Sequence, residues 1–229
     1  MIAVIGGGSW GTALALHVTR TGTSVRLWAR EAEVVEGIRR TRRNPWYLAD
    51  VDLPEAIEPT SDLAEAVHAA EMMIVAVPSE FVAGTLKDVP DALAGVPIVS
   101  ATKGFDPEGH CRITEVIAVR FPRASIAALS GPTFAREVAR RLPTAAVIAS
   151  ADAPLAAGLQ ARLGTREFRL YTNRDVVGVE TGGALKNVIA IATGLADGLE
   201  LGQNARAALI TRGLAEITRL AVALGGEPA

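Results

Sequence analysis

The sequence predicts an α/β protein: a doubly wound parallel sheet followed by an incomplete all-α C-terminal region. Three observations predict it. Short apolar, β-branched runs alternate with helix-spaced segments up to about residue 174, the pattern of βαβ units. The first run, "MIAVIG", ends in glycines that open a helical pattern. From Asp175 onward strand signal is almost absent, and two long helical patterns fill the rest of the chain.

The elements follow in order. After "MIAVIG", the segment "SWGTALALHVTRTG" has helical spacing, with Gly22 as its stop signal. "SVRLWA" reads as a second strand and residues 31–42 as a polar helix. "MMIVAVP" at 72–78 is a nearly continuous apolar run, as expected of a strand covered on both faces. Residues 96–102, 124–131 and 144–150 are similar, with helical patterns between them. Ser130 and Gly131 end one of these strands, and Pro132 is read as beginning a helix whose free N–H groups suit an anion or a polar substrate, with a tight connection that binds no ligand as the alternative. Asp175 is the expected N-cap of "RDVVGVETGGALKNVIAIATGLADGL", a helix read as buried. "QNARAALITRGLAEITRLAVALGG" is a second helix ending at a glycine pair. Two helices cannot enclose a core, so they must pack on the sheet or on another chain. The expected division is 1–174, a nucleotide-binding unit, and 175–229, the first part of a helical substrate and catalytic domain.

Composition narrows the function classes. With 229 residues the chain is one to two domains, and 49% hydrophobic residues suffice for a packed core. The formal net charge of −2 gives no basic excess for nucleic acid or an anionic membrane. Cys111 is the single cysteine, so no intrachain disulfide is possible and a reducing, cytoplasmic setting is expected. The N-terminus lacks signal-peptide character and no apolar run is long enough to span a bilayer, so no stable membrane insertion is expected. No metal site is expected.

"IAVIGGGSWG" places Gly6, Gly8 and Gly11 in G-x-G-x-x-G spacing between a strand and a helix. Gly6 permits the tight turn, Gly8 lets backbone approach a pyrophosphate, and Gly11 lets the helix pack closely on the strand. Ser9 and Trp10 line the turn, and the helix N-terminus offers N–H groups to phosphates. The unit is therefore Rossmann-like, and a dinucleotide is the expected cofactor. At the end of the second strand stand Arg30 and Glu31. An arginine there suits the 2′-phosphate of NADP, whereas a carboxylate takes the ribose hydroxyl of NAD. Arg30 argues for a preference for NADPH; Glu31 is read as beginning the next helix, where a carboxylate favours the dipole, with hydroxyl binding as its alternative.

Of 23 basic residues only Lys87, Lys103 and Lys186 are lysines. Arginine stays protonated, whereas a desolvated lysine can lose its proton. Lys103 ends the strand "IVSATK", where doubly wound sheets bind ligands. Lys186 sits inside an apolar helix, where it either snorkels to solvent or serves chemistry; apolar residues on both sides favour the second reading.

The segments "GGGSWG", "VPSEF", "SATKGF", "SGPTFA", "GGALKNVIAIATGLADGL" and "NARAALITRGLAEITRL", in that order, closely resemble the bacterial-type NAD(P)-dependent glycerol-3-phosphate dehydrogenases. The resemblance covers the whole chain. It implies reversible hydride transfer between NAD(P)H and dihydroxyacetone phosphate, supplying glycerophospholipid synthesis. It implies that Lys186 is the acid/base that protonates the ketone oxygen and that Lys103 contacts substrate and cofactor. Gly131, Thr133 and Asn187 match substrate-binding positions. Ser9, Trp10, Arg30, Tyr47, Phe81 and Ala135 match positions on the cofactor. Gly182, Gly183 and Ala184 would let both ligands approach the helix. The family tends towards dimers, so a homodimer is expected. Members continue past "LGGEPA" into an Arg-Asn pair that grips the substrate phosphate, and "RRN" at 42–44 lies too early to replace it. The chain is thus read as a fragment or a naturally short product. The competing readings are a dehydrogenase for another hydroxy acid, and a dinucleotide-binding module without turnover.

Overall fold

A computed structural model describes residues 1–91 and 95–228. The strands are β1 (Ile2–Ile5), β2 (Val25–Trp28), β3 (Ile57–Thr60), β4 (Met72–Val75), β5 (Ile98–Ser100), β6 (Ile126–Ser130), β7 (Thr144–Ala149) and β8 (Phe168–Asn173). The helices are α1 (Ser9–Thr19), α2 (Ala32–Thr41), α3 (Leu63–Val67), α4 (Ser79–Lys87), α5 (Ile113–Arg120), α6 (Ala135–Ala139), α7 (Ala153–Leu163), α8 (Val176–Gly198) and α9 (Gly202–Ala223).

All eight strands form one sheet in the order β3-β2-β1-β4-β5-β6-β7-β8. The chain starts in the middle, winds outward to β3, then crosses back past β1 to β4. That reversal puts a topological switch point between β1 and β4, where open α/β sheets bind ligands.

Strand alternation divides the core into two layers. Ile2, Val4, Met72 and Ile74 face one cluster with Leu14 and Val18 of α1. Ala3, Ile5, Met73 and Val75 face the other, with Val82 and Leu86 of α4 and Ile113 and Ile117 of α5. Burial on both faces accounts for the continuous apolar runs. Each fully buried side chain of this size contributes about 1.5–3 kcal/mol of transfer free energy.

The structure corrects the sequence reading in four places. The sheet is mixed: β7 runs antiparallel to β6, and β8 runs parallel to β7. β3 and β8 were not expected. β3 is "IEPT", with a proline and a glutamate. β8 alternates buried Phe168 and Leu170 with exposed Arg169 and Tyr171. Neither is a continuous apolar run. Pro132 does not begin a helix; α6 starts at Ala135 with Phe134 as N-cap, and spans only five residues. Finally, α8 is half exposed: Val188, Ile191 and Leu195 are on the surface.

Asp175 caps α8 as expected, its side chain accepting from Gly178 N at 2.8 Å. α8 packs on β6, and α9 returns along α8. Gly213 of α9 lies against Ile189, and Glu227 N, past the end of α9, donates to Asp175 at 3.0 Å. The pair is thus an antiparallel hairpin. No helix among the described residues is long and apolar enough to cross a membrane.

Candidate dinucleotide and catalytic site

The glycine turn joins β1 to α1. Gly6 has φ +128°, and a Cβ there would lie 2.6 Å from the Ala76 carbonyl oxygen. A Cβ on Gly11 would lie 1.8 Å from the Gly6 carbonyl oxygen, so α1 can begin only on top of the turn. Gly8 is the N-cap of α1, makes no side-chain cap, and has nothing within 4 Å of a built Cβ. The first-turn N–H groups of α1 therefore face open space, as an anion site requires.

Asn44 fixes this turn from outside. It is fully buried, and its Nδ2 donates to Gly7 O and to Thr12 Oγ1, both at 2.8 Å. Its Oδ1 accepts from the N–H groups of Trp46 and Tyr47 at 3.3 and 3.2 Å. Ser9 Oγ then donates to Tyr47 O at 3.0 Å. Sequence reasoning missed Asn44, although the Asn-Pro pair in "RRNPWY" is a turn signal.

A cleft of about 500 Å³ runs along the carboxyl ends of the central strands. Gly6, Gly8, Ser9, Trp10, Arg30, Tyr47, Phe81, Lys103 and Thr133 all line it. At one end the Arg30 guanidinium lies 5.4 Å from the Phe81 ring centroid. Arg30 Nε and Nη2 donate to Glu31 Oε1 at 3.2 and 2.9 Å. Glu31 is the N-cap residue of α2 but makes no side-chain cap, so its carboxylate serves Arg30 rather than the helix.

At the other end Lys103 lines the cleft; Lys186 and Gly131 are not part of that lining but stand next to it. Trp10 Nε1 donates to Ala101 O at 3.0 Å, which lays its ring beneath Lys103, 5.1 Å from the ammonium. Lys103 Nζ donates to Thr133 Oγ1 at 2.8 Å. Lys186 Nζ reaches from α8 to donate to Gly131 O at 2.5 Å. Thr133 Oγ1 also donates to Gly131 O, at 3.4 Å, so one short loop after β6 holds both amines. Burial, and then the positive charge of Lys186, bring the Lys103 ammonium down to about 8. Burial lowers Lys186 as well.

Other expected residues lie outside the cleft. Gly11 packs against Gly6, the contact its spacing implied. Ala135 begins α6 and packs against the core. Asn187 is exposed on α8. Gly183 abuts β6: a Cβ there would lie 2.4 Å from Ser130 Oγ, so this glycine admits a strand rather than a ligand. Gly182 faces open space. Among the described residues no group of acidic, histidine or cysteine side chains could hold a metal ion.

The turn, the free first-turn N–H groups and Arg30 fit a nicotinamide dinucleotide. Fold and site together define a class: proteins with a doubly wound dinucleotide-binding domain followed by a lysine-bearing helical hairpin. Residues 1–156 match the family model for the NAD-dependent glycerol-3-phosphate dehydrogenase N-terminus, and residues 175–229 match that for its C-terminus. The chain belongs to this family. It is 52% identical to a glycerol-3-phosphate dehydrogenase [NAD(P)+] of Rhodospirillum rubrum, over 99% of this chain and 65% of that protein. A relative of the same name from Koribacter versatilis is 51% identical, over 99% of this chain and 68% of its own length. The crystal structure of glycerol-3-phosphate dehydrogenase from Coxiella burnetii superposes with a TM-score of 0.91 at 40% identity, covering 99% of this chain and 70% of that one. The chain thus spans about two thirds of the length of these relatives.

Proposed function

We propose that this chain carries the dinucleotide site and the proton-transfer site of an NAD(P)-dependent sn-glycerol-3-phosphate dehydrogenase, interconverting dihydroxyacetone phosphate and sn-glycerol 3-phosphate. The observation that supports this most is the joining of Lys186, through Gly131 and Thr133, to Lys103 at one end of the cleft. The nicotinamide, when bound, supplies or accepts the hydride.

The residues act on the substrate oxygen. Lys186, as ammonium, gives its proton to the ketone oxygen as that oxygen gains charge, and takes it back in the alcohol-oxidising direction. A free lysine, near pKa 10.4, exchanges protons poorly at neutral pH, and burial moves Lys186 downward from that value. Lys103 adds a second positive charge and stabilises the developing oxyanion. Thr133 orients Lys103, and the Gly131 carbonyl orients Lys186. Arg30 is read as the contact for a 2′-phosphate, so NADPH is preferred over NADH. Cytoplasmic location and a role in phospholipid synthesis belong to the same reading.

The test is turnover by the purified chain. NADPH oxidation is expected with dihydroxyacetone phosphate and not with dihydroxyacetone or hydroxy-keto acids. The Michaelis constant for the anionic substrate is expected to rise above about pH 8, as Lys103 loses its charge. Dinucleotide binding without oxidation by any of these substrates would favour a binding module instead.

A further inference from the structure

Two turns before Lys186, α8 carries another ionisable group inside the protein. Glu180 is 7% exposed. Its carboxylate accepts from Thr114 N at 3.0 Å and from Thr114 Oγ1. Thr114 lies in the first turn of α5, where N–H groups lack helical partners and a carboxylate is favoured. Arg112 and Glu115 are the charged groups of α5 nearest to it.

α5 is the end of the loop that begins at Lys103. That loop is closed on itself. Phe105 and Arg112 form an isolated antiparallel bridge. Asp106 N donates to Cys111 O, and His110 N to Asp106 O, both at 2.9 Å. A bond at Thr114 is therefore a bond to a stiff piece of chain with Lys103 at its other end. Between Glu180 and Lys186, Gly183 presses α8 against Ser130 at the end of β6. Glu180, Gly183 and Lys186 follow one another along an inclined i, i+3, i+6 ridge, Glu180 bonded to the start of α5, and Gly183 and Lys186 seated on Ser130 and Gly131 at the end of β6.

We propose that Glu180 is a positioning residue for the two-lysine site: its bonds to Thr114 lock α8 against the Lys103 loop and so set the separation of the two amines. Glu180 touches neither the cleft nor the lysines and acts only through the helix. The inference rests on the reading of Lys103 and Lys186 as a working pair. If the lock is released, α8 can ride away from the loop. The repulsion that Lys103 feels from Lys186 then weakens, and Lys103 behaves more like an ordinary amine.

Only three lysines are present, so each can be followed separately in the full-length chain. Competitive acylation of the amines across pH, read by peptide mass spectrometry, gives a midpoint for each, with Lys87 as internal reference. Dinucleotide binding confirms folding of each variant. In Glu180→Leu the Lys103 midpoint is expected to rise by about one pH unit, a like-charge effect of ordinary size, while Lys87 stays fixed. Glu180→Gln, whose amide oxygen can still accept from Thr114 N and whose amide nitrogen can donate to Thr114 Oγ1, keeps both bonds and is expected to keep the wild-type midpoint. An unchanged Lys103 midpoint in folded Glu180→Leu overturns the proposal. If that variant does not fold, Thr114→Val removes one of the two bonds and must shift Lys103 in the same direction; no shift there also overturns it. Loss of the dehydrogenase reading shows separately, as turnover surviving Lys186→Met.

Discussion

Arg30 and Glu31 show how a residue's meaning depends on its partner. The guanidinium is two-thirds exposed and already engaged by the neighbouring carboxylate and by the Phe81 face. A 2′-phosphate competes with Glu31 for Arg30, whereas a ribose hydroxyl can use Glu31 directly. Arg30→Ala is expected to weaken NADPH more than NADH, and Glu31→Gln to strengthen NADPH up to about fivefold, the worth of one exposed ion pair. Titration of both dinucleotides against the intrinsic tryptophan fluorescence measures this; equal changes for the two would reject it. Residues of this kind were legible in the sequence because local context exposed them: a lysine in an apolar helix, an arginine at a strand end. Asn44 and Glu180 were not. Their partners lie 32 and 66 residues away, so only folding reveals what they hold.

At the scale of elements, the glycine turn offers a matched pair of substitutions. Gly11→Ala drives a methyl into the Gly6 carbonyl, and should cost about 1–3 kcal/mol of stability, as overpacking does. Gly8→Ala meets open space, so stability should hold while dinucleotide affinity falls, because Gly8 lines the cleft and the methyl would narrow the approach to the turn. Chemical denaturation and dinucleotide titration on both variants separate the two effects; equal stability loss would show that the turn is not built as described. The central strands and both long helices were legible because each is buried on two faces or carries a clear cap. β3, β8 and the antiparallel pairing of β6 with β7 were not. Short or one-sided strands give weak patterns, and strand direction is decided by connections rather than by composition.

For the whole molecule, most of the large apolar side chains left exposed among the described residues lie on the hairpin rather than on the sheet and its flanking helices. Ile191, Leu195, Leu199 and Leu214 are 59–68% exposed on α8, α9 and the turn between them. Contiguous apolar surface of this kind favours association. The 229-residue chain is expected to self-associate at micromolar concentration, and Ile191→Glu with Leu195→Glu to reduce this without unfolding the sheet domain. Light scattering over a concentration series checks it; a monomer throughout would contradict it. That the hairpin needs a partner was foreseen, with the sheet and another chain left as alternatives; its packing on β6 and its exposed face were not, since hydrophobicity alone does not say which side is covered.

The central claim concerns one amine on α8, held by the Gly131 carbonyl beside Lys103. Lys186→Met removes the amine and keeps the length of the side chain. Turnover of dihydroxyacetone phosphate and NADPH affinity, measured on the same preparation, should part company: the rate falling by about 10²–10⁴, the affinity holding within about twofold. A variant that turns over as fast as the parent chain would contradict the account.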